Sequence, residues 1–221
     1  MEYLPQGDLG AYLRQEPLLP ESEAEQIISQ TLRGLAIMHR EKYAHRDVKP
    51  ENILIHQRPI PGGPQSWWVK LTDFGLTKIM TRADVSATTA VGTPGYLAPE
   101  LLLNQAAGQA TECLLDMDHY ATDVWALGAT AFHILAGNLP FPGYFDMFQY
   151  VQNPEAQFPR AKLDRRLVSQ EGRDFVQSLL NPKPEQRPDL GTTGSHVWLI
   201  SHAQTAAAPP REYVSIPSRS C

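Results

Sequence analysis

The chain has little cysteine, no surplus of basic residues and no long apolar run. Cys113 and Cys221 are the 2 cysteines among 221 residues. So few argue against a disulfide framework and fit a reducing compartment, so an intracellular setting, cytoplasmic or nuclear, is expected. No apolar run reaches the ~18 residues that suggest a spanning helix, so no membrane partner is expected. The start, Met1-Glu2-Tyr3-Leu4-Pro5, lacks a basic region followed by an apolar stretch, so a signal peptide is not expected either. Lys and Arg number 19 against 24 Asp and Glu, a net charge of -5, which speaks against a nucleic-acid partner or an anionic membrane. The 7 histidines show no zinc-site spacing, and no repeat is visible. What the chain does have is 42% hydrophobic residues, enough for one substantial core, so one domain is expected.

Periodicity makes the chain mainly helical. Asp8 opens a short helix to about Leu13. Ala24, Ile27, Ile28, Leu32, Leu35 and Met38 recur at helical spacing and predict a helix from about Glu21 to Arg40, with Ser22 and Glu25 as a capping box. Ile53-Leu54-Ile55 and Trp68-Val69-Lys70-Leu71 predict two short strands, joined by a Pro- and Gly-rich excursion from Gln57 to Ser66. Thr81 to Thr93 is polar and aperiodic, which predicts a loop. The run from Tyr120 to Ala136 predicts a buried helix that begins near Asp123 and stops at Gly137. Phe175, Val176, Leu179 and Leu180 mark a further helix, ended by Asn181-Pro182. His196 to Ser201 predicts a last short helix, and the Ala-, Pro- and Ser-rich tail predicts disorder.

The chemistry concentrates in His45-Arg46-Asp47-Val48-Lys49-Pro50-Glu51-Asn52. An acid, a cation and an amide stand at fixed offsets at Asp47, Lys49 and Asn52. Phosphoryl transfer to a hydroxyl uses those three chemistries. A carboxylate takes or orients the hydroxyl proton, a cation steadies the moving phosphoryl group, and an amide oxygen helps hold magnesium. Asp73-Phe74-Gly75 supplies a second metal-seeking carboxylate. Singly, each residue has a plainer use: Asp47 as a turn cap, Lys49 as a solvated lysine, Asn52 as a turn amide.

Together these strings resemble the catalytic and metal-binding loops of eukaryotic protein kinases. The resemblance extends over most of the chain. It implies a kinase-like C-terminal lobe, a helical bundle with a small β-hairpin carrying both loops. Residues 1–200 would be a truncated kinase domain of hinge plus large lobe, and 201–221 a disordered tail. The implied activity moves the γ-phosphate of ATP to a protein Ser or Thr hydroxyl, with Asp47 as base. Lys49 marks the Ser/Thr type, and Asn52 and Asp73 would hold Mg2+. The backbones of Glu2 and Leu4 would meet adenine and Asp8 the ribose. Leu54 would floor the base, or equally be simple core packing. Gly92-Thr93-Pro94-Gly95-Tyr96-Leu97-Ala98-Pro99-Glu100 resembles the segment that seats the acceptor peptide, with Thr93 contacting Asp47 and Lys49. Glu100 would pair with Arg187, and Asp123 would brace the catalytic loop. Arg46 would receive a phosphate from the loop carrying Ser86, Thr88 and Thr89.

These 221 residues hold no counterpart of the family's Gly-rich loop, its Val-Ala-Ile-Lys strand or the glutamate-bearing helix. If those elements contribute ~4 kcal/mol to nucleotide binding, the 221-residue chain by itself binds ATP roughly a thousandfold more weakly than a complete domain. A non-catalytic scaffold is therefore the second reading. A small-molecule phosphotransferase is a third, disfavoured by the segment from Gly92 to Glu100.

Overall fold

The computed structural model describes residues 4–73, 78–79, 93–106 and 118–200. Within them, helices dominate and two small antiparallel strand pairs sit to one side. Helix α1 is Leu9–Gln15, capped by Asp8, whose Oδ1 accepts from Ala11 N at 2.7 Å. Helix α2 is Glu21–Arg40, and it buries Ala24, Ile27, Ile28, Leu32 and Leu35 as its spacing required. The expected capping box does not form, because Pro20 occupies the cap position and Ser22 falls inside the first turn. The Glu21 carboxylate instead accepts from Ser169 N, Ser169 Oγ and Trp198 Nε1, at 2.9, 2.5 and 2.8 Å.

Strands β2 (Ile53–Gln57) and β3 (Trp68–Leu71) pair in the expected hairpin, with Ile53 opposite Leu71. Ile53 and Ile55 are buried while Leu54 between them is only half-buried, the alternation a pleated strand requires. A second pair, not expected, joins β1 (Tyr43–Ala44) to β4 (Lys78–Ile79). The Gln57 to Ser66 excursion is a surface turn closed by Ile60 N donating to Pro64 O at 2.9 Å. Its return is pinned by buried Trp67, whose Nε1 donates to Glu23 at 2.6 Å and whose N donates to Gln26 at 2.9 Å.

Helix α3 is Pro99–Ala106 and α4 is His119–Ala136. Helix α4 starts ahead of Asp123 because the Asp118 carboxylate caps it, accepting from Tyr120 N and Ala121 N. It is apolar nearly all round, as a helix enclosed by others must be. It stops at Gly137, whose φ of 77° is the left-handed end that glycine allows without a Cβ penalty. At Gly128 a Cβ would stand 2.8 Å from Leu179 Cβ, so glycine lets the helix that ends at Leu179 lie close against α4. Helices α5 (Tyr144–Gln152), α6 (Pro154–Gln157), α7 (Arg160–Asp164), α8 (Gln170–Leu179), α9 (Leu190–Thr193) and α10 (Val197–Ile200) complete the bundle. No described helix is long and apolar enough to cross a membrane. The tail from residue 201 lies outside the described residues.

Candidate active site

The loop between β1 and β2 carries the acid, the cation and the amide, and a buried carboxylate on α4 holds its backbone. Asp123, fully buried, accepts from Arg46 N at 2.7 Å and from His45 N at 2.8 Å, and its Oδ2 lies 2.8 Å from His39 Nε2. Arg46 has φ 71°, a conformation that costs a non-glycine residue about 1–3 kcal/mol and must be over-determined by its surroundings. The two N–H bonds to Asp123 do that. His45 is also fully buried and works with both ring nitrogens. Its Nδ1 accepts from Asp47 N at 3.3 Å, so Nε2 carries the hydrogen and donates to Thr72 O at 2.9 Å. The imidazole thus ties the loop to the end of β3.

Asp47, Lys49, Asn52 and Thr93 form one cluster. Asp47 Oδ1 accepts from Thr93 N at 3.1 Å and Thr93 Oγ1 at 3.0 Å. Its Oδ2 accepts from Asn52 Nδ2 at 3.0 Å and faces Lys49 Nζ at 2.6 Å. Lys49 Nζ also donates to Thr93 Oγ1 at 2.5 Å. Burial alone would push the Asp47 carboxyl up. The Lys49 hydrogen bond and charge, with the bonds from Thr93 and Asn52, outweigh it and hold the group below the usual carboxylate range. Asp47 is therefore ionised at neutral pH. Because its folded value is depressed, its contribution to stability is present above the unfolded value and is lost as pH falls through the folded one.

Asn52 sits in a 3-10 turn, Pro50–Asn52, that Pro50 starts. Its Nδ2 donates to Asp47 O at 2.7 Å as well as to the carboxylate. With both N–H groups engaged, Oδ1 is the atom left to offer a cation. Asn52 O accepts from Thr72 N at 2.9 Å, which brings Asp73 to the same strand ends. Asp73 is exposed and also has positive φ, 64°. An amide oxygen and a carboxylate are the hard donors that suit Mg2+, which takes its remaining ligands from water or phosphate.

Beside this cluster the turn from Leu4 to Gly7 is tied to the hairpin. Gly7 O accepts from Ile55 N at 2.9 Å, and Asp8 bridges Leu54. Leu4, Asp8 and Leu54 thus share one edge. Glu2, Phe74, Gly75, Ser86, Thr88 and Thr89 lie outside the described residues. Arg46 Nε is buried and has no acceptor among the described residues. Burial pulls the Arg46 guanidinium below the usual arginine range, against the charge of Asp123. Glu100 and Arg187 meet as expected, in a two-pronged pair at 2.7 and 2.7 Å.

Two partners were not foreseen. His39 reaches Asp123 from 84 residues away, a separation that leaves no local pattern. Tyr96, in the segment after Thr93, lies 2.7 Å through its hydroxyl from His133 Nδ1 on α4.

Known proteins agree with the fold. A family model described as "Protein kinase domain" matches residues 1–199. The serine/threonine-protein kinase RAD53 of Saccharomyces cerevisiae is 31% identical over 202 residues, 90% of this chain and 24% of that protein. The serine/threonine-protein kinase cds1 of Schizosaccharomyces pombe is 30% identical over 91% of this chain and 41% of its own length. The chain thus spans less than half the length of either relative. A solved structure titled as the Rad53 kinase domain and SCD2 in complex with AMPPNP has a TM-score of 0.69 and 27% identity, covering 97% of this chain and 71% of that one.

Proposed function

The chain belongs to the protein kinase family, and from that premise we propose that it is the catalytic-loop half of a Ser/Thr protein kinase. The observation that carries this reading is the four-residue cluster of Asp47, Lys49, Asn52 and Thr93. Asp47 is an ionised acceptor held by donors, ready to take or orient a hydroxyl proton. Lys49, within reach of both Asp47 and Thr93, puts a positive charge where negative charge develops on the moving phosphoryl group. Thr93, at the start of the acceptor-seating segment, fixes that segment against the acid. Asn52 and Asp73 would hold Mg2+, which would neutralise phosphate charge when bound. Leu4, Asp8, Leu54 and the Glu2 backbone would line the adenosine side of an ATP site. Residues 1–200 act as one unit of hinge and large lobe in this proposal, and 201–221 as a tail.

The acceptor hydroxyl in this reading belongs to Ser or Thr of a protein. A full-length version carrying the family's small lobe, given Mg-ATP and peptides differing only in a Ser, Thr or Tyr acceptor, is expected to label the Ser and Thr peptides. Labelling of Tyr alone, or of none, contradicts the assignment. Arg46 is proposed to receive a phosphate on Ser86, Thr88 or Thr89. In the same assay Thr88→Ala and Thr89→Ala together should slow transfer, and an unchanged rate removes those two. The isolated 221-residue chain is expected to show no micromolar affinity for Mg-ATP by calorimetry.

A further inference from the structure

Between two fastened ends, the turn that begins at Thr93 rests on a leucine from elsewhere in the chain. Thr93 is bonded to Asp47 through N and Oγ1, and the Tyr96 hydroxyl lies 2.7 Å from His133 Nδ1. Tyr96 N donates to Thr93 O at 3.1 Å and closes the turn between them. Gly95, inside it, has φ 92°, in the left-handed region that glycine adopts freely. A Cβ on Gly95 would stand 2.7 Å from Leu139 Cδ1, and its three nearest neighbours would all be Leu139 atoms. Leu139 is thus the surface on which the turn lies.

Leu139 belongs to the connection between α4 and α5, whose backbone is in neither helix nor strand. A lysine on α7 supplies the hold. Lys162 Nζ donates to Leu139 O at 2.9 Å and to Pro140 O at 3.3 Å. The same ammonium lies 5.8 Å from the centre of the Phe132 ring on α4, a favourable place for a cation. Burial pulls it below the usual lysine range, while the charge of Asp146 pushes it up and that of Arg165 pushes it down. Asp146 is itself fixed, accepting from Gly143 N at 3.1 Å at the start of α5.

A lysine held in one place gives up rotamer freedom and hydration. What it gains is two carbonyls of the connection that touches Gly95. The contacts run from Lys162 to Leu139 and on to Gly95, and Thr93, two residues before Gly95, is bonded to Asp47. We propose, on the reading of Thr93 to Glu100 as the acceptor seat, that Lys162 is a positioning residue for the protein acceptor. By holding Leu139 it sets where the turn from Thr93 to Tyr96 lies against Asp47.

Three variants separate this role from general stability. Lys162→Met keeps the stem without a donor, Lys162→Arg keeps the donors, and Leu139→Ala removes the surface under the turn. In a version carrying the family's small lobe, Lys162→Met should raise KM for a Ser peptide about fivefold, the scale of one ordinary hydrogen bond. KM for ATP should stay within about twofold, and Lys162→Arg should restore most of the loss. Lys162→Met combined with Leu139→Ala should be little worse than Leu139→Ala alone, because one acts through the other. A second readout needs no phosphoryl transfer. Hydrogen exchange at the Tyr96 amide of the 221-residue chain should quicken about fivefold in Lys162→Met and in Leu139→Ala, not in Lys162→Arg, with the amides of α4 unchanged. An unchanged KM for the peptide, an equal rise for ATP, failure of arginine to restore, or losses that multiply overturns the proposal. So does exchange at Tyr96 that ignores Lys162→Met. If the unsubstituted protein labels no peptide, the kinase reading fails, and exchange at Tyr96 still decides whether Lys162 holds the turn.

Discussion

Asp47→Asn should lower the rate of phosphoryl transfer by about 10²- to 10⁴-fold, the range that removal of a positioned general base produces. The reason lies in the donors around the carboxylate. Thr93 N, Thr93 Oγ1, Asn52 Nδ2 and Lys49 Nζ all point at its two oxygens. An amide placed there turns an NH2 toward donors in either orientation. The variant loses the charge that answers Lys49 and one of two accepting atoms. The loss should appear in kcat, with a smaller change in KM for ATP, because Asp47 is bonded to Thr93 of the proposed acceptor seat and not to the edge formed by Leu4, Asp8 and Leu54. A rate within about threefold of the wild type would remove Asp47 from the chemistry.

Arg187→Ala should destabilise the chain by about 3–5 kcal/mol, the cost of stripping one partner from a buried ion pair. The Arg187 side chain is fully buried, and that of Glu100 is 16% exposed. Arg187 also donates to Ala121 O at 2.9 Å and to Asn181 O at 2.8 Å, and its guanidinium lies 5.0 Å from the centre of the Trp125 ring. One side chain therefore joins α3, the start of α4 and the turn after α8. Alanine leaves a carboxylate and two carbonyls without their donor. Urea unfolding should show a lower midpoint with an unchanged slope. Replacing Glu100 and Arg187 together by Met should recover much of the loss, since an apolar pair leaves no charge unpaired. A single-variant loss below about 1 kcal/mol would mean that the pair behaves as a surface bridge.

What could be seen in the sequence depended on the range of the interactions. Helix α2 was legible because its buried residues repeat on one face. The start of α4 was not, because Asp118 caps it ahead of the apolar run that signals the helix. Helix α5 hid its pattern by carrying large apolar residues on both faces, Met147 and Tyr150 inward and Phe145 and Phe148 outward. The pair of β1 with β4 is two residues deep on each side, too short for any alternation to show. At the site, Asp47, Lys49 and Asn52 stood within one string. Thr93 lies 46 residues beyond Asp47, and only the resemblance to protein kinases linked them. No pattern announced that His39 would meet Asp123, or that His45 would fasten the loop to Thr72, because tertiary packing alone creates those contacts.

Asp47 and Lys49 should act as one unit on a phosphoryl group moving to a hydroxyl. The test is a double-substitution cycle on Asp47→Asn and Lys49→Met, read as γ-phosphoryl transfer to a Ser peptide by a version carrying the family's small lobe. Each single variant should be severely slowed, and the pair should be little slower than Asp47→Asn alone. Losses that multiply, or single variants that keep the wild-type rate, would contradict it.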